Sequence, residues 1–140
     1  MMVRSTFCRA FVLVLALGAP ACGGDDDLPP APTPIFPETE TFDGTLSPFS
    51  ARIHHFNVDN AGEVILQLSG IEPAETVVGI SLGTSNGFQC QVTVDAAVAQ
   101  LNNSILAIAR TAGTLCARIY DPSDAGLPAP VTYQLHATHY

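Results

Sequence analysis

The chain has 140 residues and a mass of 14.7 kDa, room for one ordinary domain and for no second core of similar size. Hydrophobic residues make up 47% and charged residues 13%, with no lysine, a balance that folds rather than staying disordered. The formal net charge of −8 repels phosphate backbones, so nucleic acid is not an expected partner.

Residues 1–21 begin with Arg4 and Arg9, continue through the apolar "AFVLVLALGA" of Ala10 to Ala19, and end on the small residues "APA". That order describes a secretory signal peptide. The apolar stretch is too short for a membrane span, which needs roughly 20 residues. Ala19-Pro20-Ala21 suits ordinary signal peptidase, while small residues running into Cys22 resemble the lipobox of bacterial lipoproteins, in which the cysteine is acylated and becomes the first residue. Lipidation at Cys22 is the expectation. The partner it implies is a membrane, reached through the lipid. The alternative is plain secretion or a periplasmic location with a free or paired thiol. Removing the leader takes away two of the five basic residues, leaving three against thirteen acidic ones, a balance of −10.

Residues 22–37, "CGGDDDLPPAPTPIFP", form an acidic, proline-rich tether with nothing to pack into a core. Its three contiguous aspartates read as a solvated spacer, because no turn folds them back around an ion. Gly23 stands where an aspartate would favour inner-membrane retention, so the outer membrane is the expected location.

From residue 38 to 140 the chain reads as short alternating strands at 39–46, 51–58, 63–70, 76–83, 88–94, 105–111, 114–120 and 131–139. Turn signals at Asn60-Ala61-Gly62, Asn86-Gly87 and Ala112-Gly113 fall between strands, and Asn86-Gly87 is the strongest hairpin signal of the three. Alternating sets such as His54, Phe56, Val58 and Val131, Tyr133, Leu135, Ala137 predict two antiparallel sheets packed face to face. The expected fold class is all-β, a jelly-roll-like sandwich of about eight strands. Only "DAAVAQLNN", 95–103, has helical spacing, with apolar Val94, Ala97, Val98 and Leu101, and at most two turns of it.

Cys8 leaves with the leader and Cys22 takes the lipid, so Cys90 and Cys116 remain as an even pair in an oxidising compartment and are expected to form a disulfide. Two isolated cysteines lack the spacing of a zinc site. Alternation places Cys90 with the apolar Phe88, Val92 and Val94, but Cys116 opposite the apolar Leu115, Ala117 and Ile119. A bond between them therefore requires a bulge, a strand end or a register other than this simple alternation.

The pieces "GTL" before a polar turn, H-x-F-x-V at His54, Phe56 and Val58, an "AG" turn, C-x-R-x-Y-D from Cys116 to Asp121, and a final "VTYQL" resemble the bacterial pre-peptidase C-terminal domain over nearly all of residues 38–140. The resemblance implies a β-sandwich of the kind appended to secreted proteases and other exported enzymes, read as a binding or targeting module and often cleaved away.

Several residues invite chemistry. Gly79-Ile80-Ser81-Leu82-Gly83 matches G-x-S-x-G, but a nucleophile elbow needs a helix after the serine, and here a turn and a strand follow. A strand whose glycines allow close packing is the expectation. His54 is expected to be buried and hydrogen-bonded, with His55, His136 and His139 at the surface and no two placed to chelate a metal on one strand. Asp121 and Asp124, in "YDPSDAG", fit an Asx turn, with calcium held by the two carboxylates as the rival reading; a metal shared by histidines across strands is a further alternative, and no cofactor is expected. Arg118 is expected to pair with an acidic neighbour.

The function expected is a non-enzymatic envelope lipoprotein that binds an unidentified protein or glycan. Carbohydrate recognition on the sandwich face is the alternative, with Tyr120 as the one aromatic at an outward position and no tryptophan. Hydrolysis through Ser81 comes third.

Overall fold

The computed structural model describes residues 31–140; the leader, Cys8, Cys22 and the tether as far as Pro30 lie outside the described residues. Residues 31–37 are exposed and lack regular secondary structure. Eight strands follow: β1 (Glu38–Leu46), β2 (Ala51–Val58), β3 (Gly62–Glu72), β4 (Val78–Ser85), β5 (Cys90–Ala99), β6 (Ser104–Ala109), β7 (Gly113–Tyr120) and β8 (Val131–His139).

They form two four-stranded antiparallel sheets, β1-β8-β3-β6 and β2-β7-β4-β5. The pairings nest: β1 with β8, β2 with β7, β3 with β6 and β4 with β5. Only the β4–β5 connection stays within one sheet. This is a long hairpin rolled on itself, the jelly-roll form of the sandwich. Rolling brings the inward positions of both sheets into one core. Leu46, Leu66, Leu68 and Leu135 from one sheet meet Phe56, Val58, Ile80, Leu82 and Ile119 from the other, all essentially buried. Each side chain of this size contributes roughly 1.5–3 kcal/mol by leaving water.

The segment 95–103 is strand and turn, not helix. β5 runs to Ala99 against β4, with Ile80 opposite Ala96 and Val78 opposite Ala99, so three residues of β5 oppose two of β4. That bulge puts Ala96 and Ala99, three apart, on the core side and produces a spacing that imitates a helix. Asn102, at φ 68°, closes the turn beyond it, where its N–H donates to the Leu68 carbonyl.

A second bulge decides the position of Cys90. Leu82 pairs with Val94, whereas Gly83 pairs with Val92, leaving Thr93 unmatched. A shift of one residue turns every following side chain to the opposite face. Val94 is therefore half-buried, while Val92 and Phe88 are 39% and 90% exposed. Phe88 and Val92 thus do not join the core, contrary to the simple alternation. Cys90 moves to the outer face with them and meets Cys116, with Cα atoms 5.7 Å apart in the disulfide.

The disulfide joins β5 to β7 across the intervening β4. Passage is allowed at Gly83, paired with Cys116 on one side and Val92 on the other. A Cβ on Gly83 would stand 2.2 Å from the Gln91 carbonyl oxygen and 2.6 Å from its carbon. The β5 backbone thus occupies the space of a side chain.

Gly83→Ala is expected to lower stability by at least about 1–3 kcal/mol, because the obstructing atoms are backbone. Gly113→Ala, with no atom within 4 Å of the added carbon, should stay within about 0.5 kcal/mol of the parent. Replacing both Cys90 and Cys116 by serine should cost about 3–4 kcal/mol, as the bond closes a segment with a separation of 26 residues. Urea midpoints of the three variants check the order.

Candidate functional site

The outer face of the β2-β7-β4-β5 sheet carries most of the residues singled out in the sequence. Register aligns them in rows: His55 beside Cys116 and Gly83, then Ile53 beside Arg118, Ser81 and Asp95. Tyr120 pairs with Gly79 in the next row.

Gly79, Ser81 and Gly83 are the outward residues of β4, yet all three are buried. The Tyr120 ring lies over Gly79, where an added Cβ would come within 2.2 Å of it. Its hydroxyl donates to both Asp95 carboxylate oxygens at 2.9 Å, and the Arg118 guanidinium sits 4.3 Å from the ring centroid. Arg118 therefore stacks on an aromatic ring, and among the described residues it has no ion pair with a carboxylate. A delocalised cation over a ring face is favourable where a carboxylate is already held by a hydroxyl. Desolvation, reinforced by hydrogen bonding and charge from Asp95, pushes the Tyr120 phenol up despite the opposing pull of Arg118. Tyr120 is thus built into the face and is not a free platform for a ligand.

Ser81 is 0% exposed, and its hydroxyl has no hydrogen-bond partner. It sits mid-strand, followed by Leu82 to Ser85 in extended conformation. Neither the strand-to-helix turn nor a bonded imidazole of a nucleophile elbow is present at Ser81. The glycines of the motif serve close packing.

A groove of about 650 Å³ opens where the β4–β5 hairpin meets β2. Its lining includes Ile53, Phe88, Gln89, Gln91 and the partly exposed Cys90. The hairpin loop runs from Asn86 to Gln89, longer than a two-residue turn. Asn86 Oδ1 accepts from the N–H groups of Phe88 and Gln89 at 3.0 and 2.8 Å, and Gly87 supplies the positive φ of 91°. Ser85 Oγ accepts from the Gly87 N–H and bonds His55 Nδ1 at 2.7 Å. These bonds and the disulfide fix the loop that presents Phe88. Sequence reasoning missed Phe88 because alternation assigned it to the core; the clash of parity between Cys90 and Cys116 was the available signal.

The other histidines divide differently from the expectation. His54 is half-buried, stacked on Phe42 with centroids 4.9 Å apart, and its Nε2 lies 2.8 Å from the Tyr133 hydroxyl. Burial, with Arg52 and His55 adding to it, lowers the basicity of His54 against a smaller opposing effect of Asp43. His139 is not at the surface: it is 4% exposed, packs on Phe56 and bonds Glu40 at 3.2 Å. The inward alternation of β8 simply continues to its last residue. His136 is half-buried.

Asp121 is a clamp. Its Oδ2 accepts from the N–H groups of Phe49 and Leu127 at 2.8 and 2.7 Å, and its Oδ1 accepts from Ser123 at 3.0 Å, the Asx turn expected. Desolvation alone would raise its pKa; the three N–H donors outweigh it and hold the carboxyl below its ordinary range. Both oxygens thus face donors rather than a cation site, and Asp124 is exposed. No group of three or more His, Cys, Asp or Glu suited to a metal occurs among the described residues.

Neither protein-family models nor curated proteins match this chain.

Asp121→Asn keeps the Asx turn but sets an amide against donors, and should cost about 1–3 kcal/mol in the urea midpoint at neutral pH. The parent should lose that difference as pH falls through the depressed value of Asp121, below about 3.9. For His54 the folded ring is the weaker base, so the unfolded chain takes up the proton first. Stability from the neutral ring is complete above about pH 6.5 and declines on acidification. His54→Gln should therefore flatten the fall in urea midpoint between pH 8 and pH 5 relative to the parent.

Proposed function

We propose that this protein is a non-enzymatic binding module of the pre-peptidase C-terminal kind, held at the outer membrane by a lipid on Cys22, and that it contacts its partner through the groove at the β4–β5 hairpin. The observation that carries this reading is Phe88. An aromatic side chain 90% exposed costs solubility and gives the fold no core packing, yet its loop is fixed by four hydrogen bonds and a disulfide. Rigid presentation of an apolar group suits recognition, since little ordering entropy remains to be lost on binding. The leader, the cysteine after small residues and the acidic tether support the anchored location. Ser81, buried between Arg118 and Asp95, offers no comparable support for hydrolysis.

Native chain extracted from membranes should lack residues 1–21 and carry an acyl mass on Cys22, and the Cys22→Ser chain should appear in the soluble fraction. Purified full chain should sediment with isolated envelope fragments, and Phe88→Ala should remain in the supernatant with an unchanged urea midpoint. Equal sedimentation of both chains, or of neither, overturns the groove as the contact surface. Ester or peptide hydrolysis abolished by Ser81→Ala overturns the non-enzymatic reading.

A further inference from the structure

The groove at the hairpin has a composition that narrows what it holds. Ile53, Thr84, Asn86, Phe88, Gln89 and Gln91 line it together with Ser85 and Cys90, and none of these carries a charge. In a chain with a net charge of −8, a recess free of both signs neither attracts anions nor repels them at contact. Such a lining suits a neutral ligand.

Two kinds of surface remain for it to meet. The first is the aromatic face of Phe88, which has no polar tip of its own. The second is the side-chain amide of Gln89 in the loop, exposed and not engaged in a hydrogen bond among the described residues; Gln91, between the outward Cys90 and Val92, turns its side chain to the other face of β5. An amide donates and accepts at once, and so does a hydroxyl. A molecule with paired hydroxyls along its edge and an apolar patch of C–H groups on its face matches both surfaces. A neutral saccharide has that form. An extended peptide matches less well, because its main-chain groups seek a free strand edge. The lining combines hairpin residues with Ile53 of β2, two strands away across the sheet, so the groove lies on the face. Tyr120 takes no part, being held by Gly79 and Asp95.

We propose that this groove binds a neutral saccharide, with Phe88 stacking on a sugar ring and Gln89 bonding its hydroxyls. The proposal rests on the reading of the groove as the contact surface and specifies its ligand. Its preorganisation follows from the disulfide and from the Asn86 and Ser85 bonds, which hold the loop without a ligand.

The test uses the full chain on an array of neutral hexose and N-acetylhexosamine oligosaccharides, sulfated and sialylated oligosaccharides, and extended peptides. Binding to at least one neutral oligosaccharide is expected, unchanged between 50 and 500 mM salt. Phe88→Ala should weaken it by about tenfold or more, as for a central aromatic anchor. Phe88→Tyr should retain it, Gln89→Ala should weaken it several-fold, and Gln91→Ala, on the other face of β5, should leave it unchanged. The Phe88→Tyr and Gln89→Ala variants keep the test informative should Phe88→Ala alter the loop. Binding confined to charged oligosaccharides, neutral binding indifferent to Phe88 and Gln89, or no glycan binding overturns the proposal. If no glycan binds while envelope sedimentation still depends on Phe88, the saccharide assignment fails and the contact surface stands.

Discussion

The unmatched residue at Thr93 is the constraint on which the outer face of this sandwich depends. Without it, Cys90 would point into the core while Cys116 pointed away, and no disulfide could join them. With it, the first part of β5 exchanges its faces, and Phe88, Cys90 and Val92 leave the interior together. Gly83 is the other half of the device. By carrying no side chain it lets the β5 backbone lie close over β4, so that β5 and β7 become covalent neighbours though they are not hydrogen-bonded ones.

The same economy of side chains explains the rest of that face. Gly79 and Ser81 leave a furrow along β4, and Tyr120, Arg118 and Asp95 close it with a stacked cation, a ring and a shared hydroxyl. A motif that suggests a nucleophile is here the imprint of a groove that the protein fills with its own residues. Two loops at the Tyr120 end are drawn together by Asp121, which gathers donors from residues 49, 123 and 127. One carboxylate thereby satisfies three N–H groups that no strand partner reaches.

The layered fold was legible because period-2 alternation is strict in Val131 to Ala137, where β8 is paired on both sides, and in His54 to Val58 of the edge strand β2. Even the clash of parity at the cysteines was visible, and it called for the irregularity that the structure contains. What escaped was the consequence of an odd residue. Bulges in β5 at 97–98 and 93 change which side chains face inward, and no local signal marks them. The first made a strand look helical; the second hid Phe88 among expected core residues. His139 escaped for another reason. Its polarity suggested the surface, but Glu40 and Phe56 give it a bonded, buried place. Tyr120 was correctly placed outward, yet the small residues across from it turned an exposed position into a packed one.

Edge strands are where sheets ordinarily begin to fray. β5 is an edge, but its first residue is bonded covalently to the strand two places inward, beyond β4. It cannot peel from that end without carrying β7 along, and β7 also holds β2. Under mechanical load or partial denaturation, opening is thereby diverted to the Ala99 end of β5 and to the unstapled β6 of the opposite sheet. The hairpin that presents Phe88 would remain closed until much of the domain had given way.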